Sequence, residues 1–160
     1  MTRNGCGCYG VEGKPSGDPR PMPRAATEAL IARYFDALAS GDVDALLACL
    51  AADVIHDVNQ GERRIGRDTF KAFHARMTHC YEERLEGVVV LAGTDGTRAA
   101  AEYMMTGRYV ATDEGLPPAT GQTYALPAGT FFAVRDGLIQ RVTAYYNLTD
   151  WLLQIAPGIG

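Results

Sequence analysis

From Ala25 onward, apolar residues recur at helical spacing. Leu30, Ile31, Tyr34, Phe35 and Leu38 fall on one stripe, and Ser40-Gly41-Asp42 ends the run. A second helix carries Val43, Leu46, Leu47 and Leu50 on one face. Val54 to Val58 reads as a strand, with Ile55 and Asp57 on one side and Val54, His56 and Val58 on the other. The turn Asn59-Gln60-Gly61 and a charged loop lead to Gly66. Residues 67–83 then form a third helix, with Phe70, Phe73, His74, Met77, Cys80 and Tyr81 along one face. Beyond it the pattern is strand: Val88 to Leu91, a hairpin at Thr94-Asp95-Gly96-Thr97, and a long run from Ala99 to Tyr109. A loop with Pro117 and Pro118 leads to a strand from Gln122 to Arg135, a second Asp-Gly turn at Asp136-Gly137, and a last strand from Leu138 to Leu148. Thr149 is placed to cap a short terminal helix with Trp151, Leu152, Leu153 and Ile155.

Helices first and hairpin-linked strands afterwards define an α+β domain over residues 25–156, with helices packed on one strongly curved antiparallel sheet. A curved sheet closed on one side by helices makes a cone with an interior. Residues 1–24 are rich in glycine and proline and nearly free of apolar side chains, so they read as a disordered leader, with Met22 a second possible start. Composition narrows the function classes. A net charge of −4, without any basic run, argues against nucleic acid. No apolar stretch approaches a membrane span or a signal-peptide core, so the expected location is cytoplasmic. The Cys6-Gly7-Cys8 pair has no second ligand pair, and His56, His74 and His79 lack zinc-site spacing, so no metal is expected. Cys49 and Cys80 read as plain buried thiols.

Several pieces of this chain resemble the nuclear-transport-factor-two-like superfamily, in particular its ketosteroid-isomerase-related and SnoaL-like branch. They are Ala32-Arg33-Tyr34, Ser40-Gly41-Asp42-Val43-Asp44-Ala45-Leu46, Ala52-Asp53-Val54-Ile55-His56-Asp57, Gly66-Arg67 and Val142-Thr143-Ala144-Tyr145-Tyr146-Asn147. The likeness covers residues 25–155 and implies the cone-shaped α+β barrel of that superfamily. It places Asp57 where ketosteroid isomerases keep a proton-shuttling aspartate, and Tyr34 where they keep the tyrosine that donates to the developing oxyanion. Their second acid falls near Thr130, where this chain has no carboxyl group, so steroid isomerisation itself is not expected. The resemblance also places His74 at a supporting position and Tyr146 among the residues that line the cavity.

The residues themselves make Asp57 the leading candidate. If its side of the strand faces the cone, as apolar Ile55 beside it suggests, low dielectric raises its pKa and makes it a general base without a cofactor. Asp57 would then move a proton next to a carbonyl on a small, mostly apolar molecule, while Tyr34 and His74 hold the enolate-like intermediate. Glu102 interrupts Ala99-Ala100-Ala101 and Tyr103-Met104-Met105. Facing inward, it would be a second acid for epoxide-hydrolase-like or polyketide-cyclase-like chemistry; facing solvent, it has no such role. A third reading is a non-catalytic ligand-binding or dimerising module, with Asp57 serving only its neighbouring turn. Strands apolar on both faces imply a covered outer face, hence a homodimer through the sheet.

Overall fold

The computed structural model describes residues 22–59 and 61–156; residues 1–21 (with Cys6, Cys8 and most of the expected leader), Gln60 and residues 157–160 lie outside the described residues. The elements run α1 (Arg24–Ser40), α2 (Val43–Ala48), β1 (Leu50–Val58), β2 (Arg64–Ile65), α3 (Arg67–Cys80), β3 (Tyr81–Ala92), β4 (Arg98–Tyr109), β5 (Thr123–Arg135), β6 (Leu138–Tyr146) and α4 (Leu148–Ile155). The six strands form one open, curved sheet in the order β2-β1-β6-β5-β4-β3. This is the expected α+β cone, with one difference in the sheet. β1 runs parallel to β6, His56 beside Val142 and Asp57 beside Thr143, so the sheet is mixed. Tight hairpins force the antiparallel sense only where they join strands, and β1 and β6 are joined by the whole intervening chain.

Local chemistry sets the element ends. Gly41 closes α1 in the left-handed region at φ 70°, and the amide of Asp42 reaches back to Ala37 O at 3.1 Å. Asp42 then caps α2 by accepting from the amide of Ala45 at 2.9 Å. Helix α3 stops at Cys80, earlier than the pattern suggested, because the chain turns extended at Tyr81 and pairs at once with Tyr109. The Tyr81 and Tyr109 rings stack at 5.2 Å. Asn147, not Thr149, caps α4, its side-chain oxygen accepting from the amide of Asp150 at 3.1 Å. Met22 packs against the core and accepts a hydrogen bond from the amide of Gly137 at 3.0 Å, so the fold begins inside the stretch expected to be leader. Among the described residues, no helix is long and apolar enough to cross a membrane.

The core fills the space between the helices and one sheet face. Leu30, Ile31, Tyr34 and Phe35 of α1 meet Ala99, Ala101, Tyr103 and Met105 of β4, with Leu126, Ala128 and Phe132 of β5 beside them. The alternate residues of the same strands point the other way, and several are exposed and apolar: Val89, Leu91, Met104, Phe131 and Tyr145.

Candidate functional site

Strand β1 decides which side chains reach the interior, and it reverses the expected facing. His56 is buried beside core Val142, with its ring 4.9 Å from both Phe70 and Phe73 of α3. Asp57 stands beside Thr143, which neighbours exposed Phe131, so Asp57 lies on the face turned away from the helices. Ile55 shares that face, next to Ile65 and Arg141. Both alternate sets of this strand hold apolar residues, and a one-residue step in register exchanges them completely. The pairing with β6 is irregular between Leu50, beside Ile139, and Ile55, beside Arg141.

The expected raised pKa of Asp57 is overturned as well. Arg63 grips the carboxylate with Nε on Oδ1 at 2.9 Å and Nη2 on Oδ2 at 3.0 Å. Arg141 adds Nη2 on Oδ2 at 3.1 Å while its own Nε donates to Thr143 Oγ1 at 2.9 Å. The hydrogen bond from Arg63 is the largest influence and outweighs the opposing effect of burial. Together the two arginines hold Asp57 below the usual carboxylate range. A carboxylate stabilised this way is a weak base. Glu102 is exposed on the same outer face, opposite Gly129 and Val89, so it supplies no interior acid.

Three other expected residues, Tyr34, Thr130 and Tyr146, stand on the helix-facing side. Tyr34 is buried edge-on to Phe35 and Phe132 at 5.5 and 5.4 Å, and burial raises its phenol pKa. Thr130 is buried with Oγ1 at 2.8 Å from Tyr103 Oη. Tyr146 is half-buried at 6.3 Å from Trp151, its phenol pushed up by burial and by the nearby charge of Glu83. His74 is half-buried on α3, and burial lowers its pKa.

The interior acid is a residue that the sequence pattern hid. Glu83 on β3 sits beside Gly107, which sits beside Tyr124, so all three share the helix-facing side with Leu85, Met105 and Leu126. Tyr124 Oη donates to Glu83 Oε1 at 2.5 Å. Desolvation raises the Glu83 pKa above the usual carboxylate range, and the tyrosine hydrogen bond offsets only part of this. By surface area Glu83 is nevertheless exposed. It borders an open recess of about 720 Å³ at the ends of β3, β4 and β5, lined by Tyr124 and Gln154 and also by Glu82, Arg84, Thr106 and Arg108, which alternate to the outer face of the sheet. No cation pairs with Glu83 among the described residues. Tyr103 and Tyr146 both feel its charge. A carboxyl of raised basicity near phenolic hydroxyls is competent for proton transfer. No group of three metal-ligating side chains occurs among the described residues.

Comparisons with known proteins agree with this fold. A model of the SnoaL-like domain matches residues 31–142. A protein from a Silicibacter species, provisionally named a polyketide cyclase, is 56% identical, with 84% of this chain and 98% of that one covered at a TM-score of 0.80. A Xanthomonas campestris protein with the same provisional name is 53% identical over 83% of this chain and 98% of its own, again at 0.80. One from Pseudomonas putida is 52% identical over 84% and 99%, also at 0.80. Among curated proteins, none matches. The chain belongs to the SnoaL-like family.

Proposed function

We propose that this protein binds a small, mostly apolar, carbonyl-containing molecule in the cone and moves a proton on it without a cofactor, with Glu83 as the acid–base group. The observation that carries this reading is a carboxyl on the helix-facing side of the sheet that is desolvated by its neighbours, bonded to one tyrosine and unpaired with any cation among the described residues. Ionised Glu83 takes a proton from the carbon next to the carbonyl. The C–H electron pair moves into the carbonyl, which becomes an enolate oxygen, and the proton returns from the carboxyl to a second carbon. Tyr103, hydrogen-bonded to Thr130, is the hydroxyl pair this reading assigns to that oxygen, and buried Tyr34 lies close enough to Tyr103 for their charges to interact. Ring closure uses the same first step: the enolate carbon attacks a second carbonyl of the same molecule, whose π pair moves onto its oxygen and takes the proton back from the Glu83 carboxyl. The provisional cyclase names of the relatives favour this variant. In this reading Asp57 and Glu102 take no part in the chemistry.

The test is deuterium incorporation. Wild type and Glu83→Gln are incubated in heavy water with a panel of aromatic 1,3-diketones, and exchange next to the carbonyl is followed by proton NMR. Exchange accelerated by wild type and reduced at least about a hundredfold in the variant supports the reading, since removing a general base costs a factor of that order. Equal exchange with both proteins contradicts it.

We also infer a homodimer through the outer sheet face. Val89, Leu91 and Phe131 are 55%, 57% and 55% exposed there, an apolar stripe unusual on a free surface. Arg98 and Arg141 lie at one end of the stripe, and Glu86 and Glu102 lie toward the other. A two-fold axis through Phe131 brings unlike charges together.

A further inference from the structure

Tyr124 reaches Glu83 from two strands away, and the strand between them has to let it pass. Adjacent strands are about 4.8 Å apart, so a hydroxyl on β5 meets a carboxyl on β3 only if its ring lies flat over β4. The residue under that ring is Gly107. A Cβ at this position would overlap Cζ, Oη and Cε2 of Tyr124, the far end of the ring. Gly107 is not among the residues with positive φ, so the backbone does not call for glycine here; space for the tyrosine does. The other flank of the ring is held edge-on by Trp151 at 6.0 Å and Tyr81 at 6.5 Å. Trp151 belongs to α4, which Gln154 fastens to β5: its side-chain oxygen accepts from the amide of Ala125 at 2.8 Å, and its side-chain nitrogen donates to that residue's carbonyl at 3.2 Å.

We infer that Tyr124, laid across Gly107, is the positioning residue of the site: it holds Oε1 of Glu83 and leaves Oε2 as the oxygen that meets the ligand. The inference rests on Glu83 being the acid–base group, and it adds three residues with no polar contact to the ligand. Gly107 supplies the passage, Tyr124 fixes the rotamer and donates to the ionised form, and Trp151 backs the ring. The titratable groups facing Glu83 are Tyr124 on β5, Tyr103 on β4 and Tyr146 on β6, while Glu82, Arg84 and Arg108 border the same recess.

The experiment is a carbon-13 NMR titration of the Glu83 carboxyl in the full-length protein, made for wild type, Tyr124→Phe, Gly107→Ala and the double variant. Tyr124→Phe removes one oxygen from the ring, and the expected result is an upward shift of the Glu83 titration by about one pH unit, as the carboxylate loses its donor. Gly107→Ala keeps the tyrosine but lifts its ring, so it shifts the titration the same way, and the double variant matches either single one. An unchanged titration in Tyr124→Phe, or additive shifts in the double variant, overturns the inference. Deuterium exchange by Glu83→Gln keeps the two readings apart. Full exchange in that variant together with matching shifts in the other two removes the catalytic reading and leaves Tyr124 positioning an acid of another purpose. Lost exchange with unmoved titrations removes Tyr124 alone.

Discussion

Neighbouring positions on β1 respond to acid for opposite structural reasons. His56 is buried against two phenylalanine rings, and desolvation, then the nearby Arg64, lowers its pKa to about 4 despite the opposing pull of Asp57. Its Nδ1 is buried without a hydrogen-bond partner. The unfolded chain therefore takes up a proton near pH 6.5 that the folded protein refuses until about pH 4, and stability falls across that window. At about 1.4 kcal/mol per pH unit, the loss approaches 3 kcal/mol by pH 4, and His56→Phe should abolish the part of the acid slope that begins near pH 6.5 in urea unfolding. Asp57 behaves differently because its folded pKa is lowered: its contribution is complete above the unfolded value and disappears as pH falls through the folded one. Asp57→Asn should cost about 2 kcal/mol at pH 7, with the deficit shrinking below pH 4. A variant that grew more stable toward neutral pH would restore Asp57 as a strained interior acid. Residue types alone pointed to Asp57, but a clamp built from Arg63 in the next loop and Arg141 on a distant strand is invisible in a local pattern.

At the scale of elements, most helices and strands could be read in advance, because heptad-like stripes and Asp-Gly turns are local signals. The miss at the junction of α3 and β3 concealed Glu83. Apolar spacing carried the helix on through Tyr81, although Tyr81, Glu83 and Leu85 also alternate as a strand does. The hairpin at Asp95-Gly96 held the deciding clue. Its second strand runs back from Arg98 to Tyr109, so its first must reach Tyr81 to pair along the full length. The face presented by β1 and its parallel pairing with β6 depended on contacts across the whole chain, which spacing does not encode. Helix α4 is legible in sequence, while its task is visible only in three dimensions. It covers the part of β5 beyond the end of β6, with Gln154 taking the place of a strand neighbour. Gln154→Ala should loosen α4 without unfolding the sheet, seen as faster amide exchange at Ala125 and a change in Trp151 fluorescence.

At the scale of the molecule, the sheet has two working faces with opposite demands. The inner face carries buried tyrosines and, at its open end, Glu83; the outer face carries an exposed apolar stripe between charges of opposite sign. If a second copy covers the stripe, Leu91→Asp should halve the mass seen by sedimentation while leaving the far-ultraviolet spectrum unchanged, and an already monomeric wild type would rule the dimer out. The inner face matters most for function, and Glu83 can be interrogated before any substrate is known. The decisive measurement is the stability of wild type against Glu83→Gln from pH 4 to pH 8. A raised folded pKa means that ionisation costs stability as pH climbs above the unfolded carboxylate value, so the glutamine variant should match wild type near pH 4, gain on it as pH rises from the unfolded to the folded pKa, and keep that lead up to pH 8. A glutamine variant that loses stability toward pH 8 would show a satisfied structural carboxylate, and would contradict an interior acid kept for proton transfer.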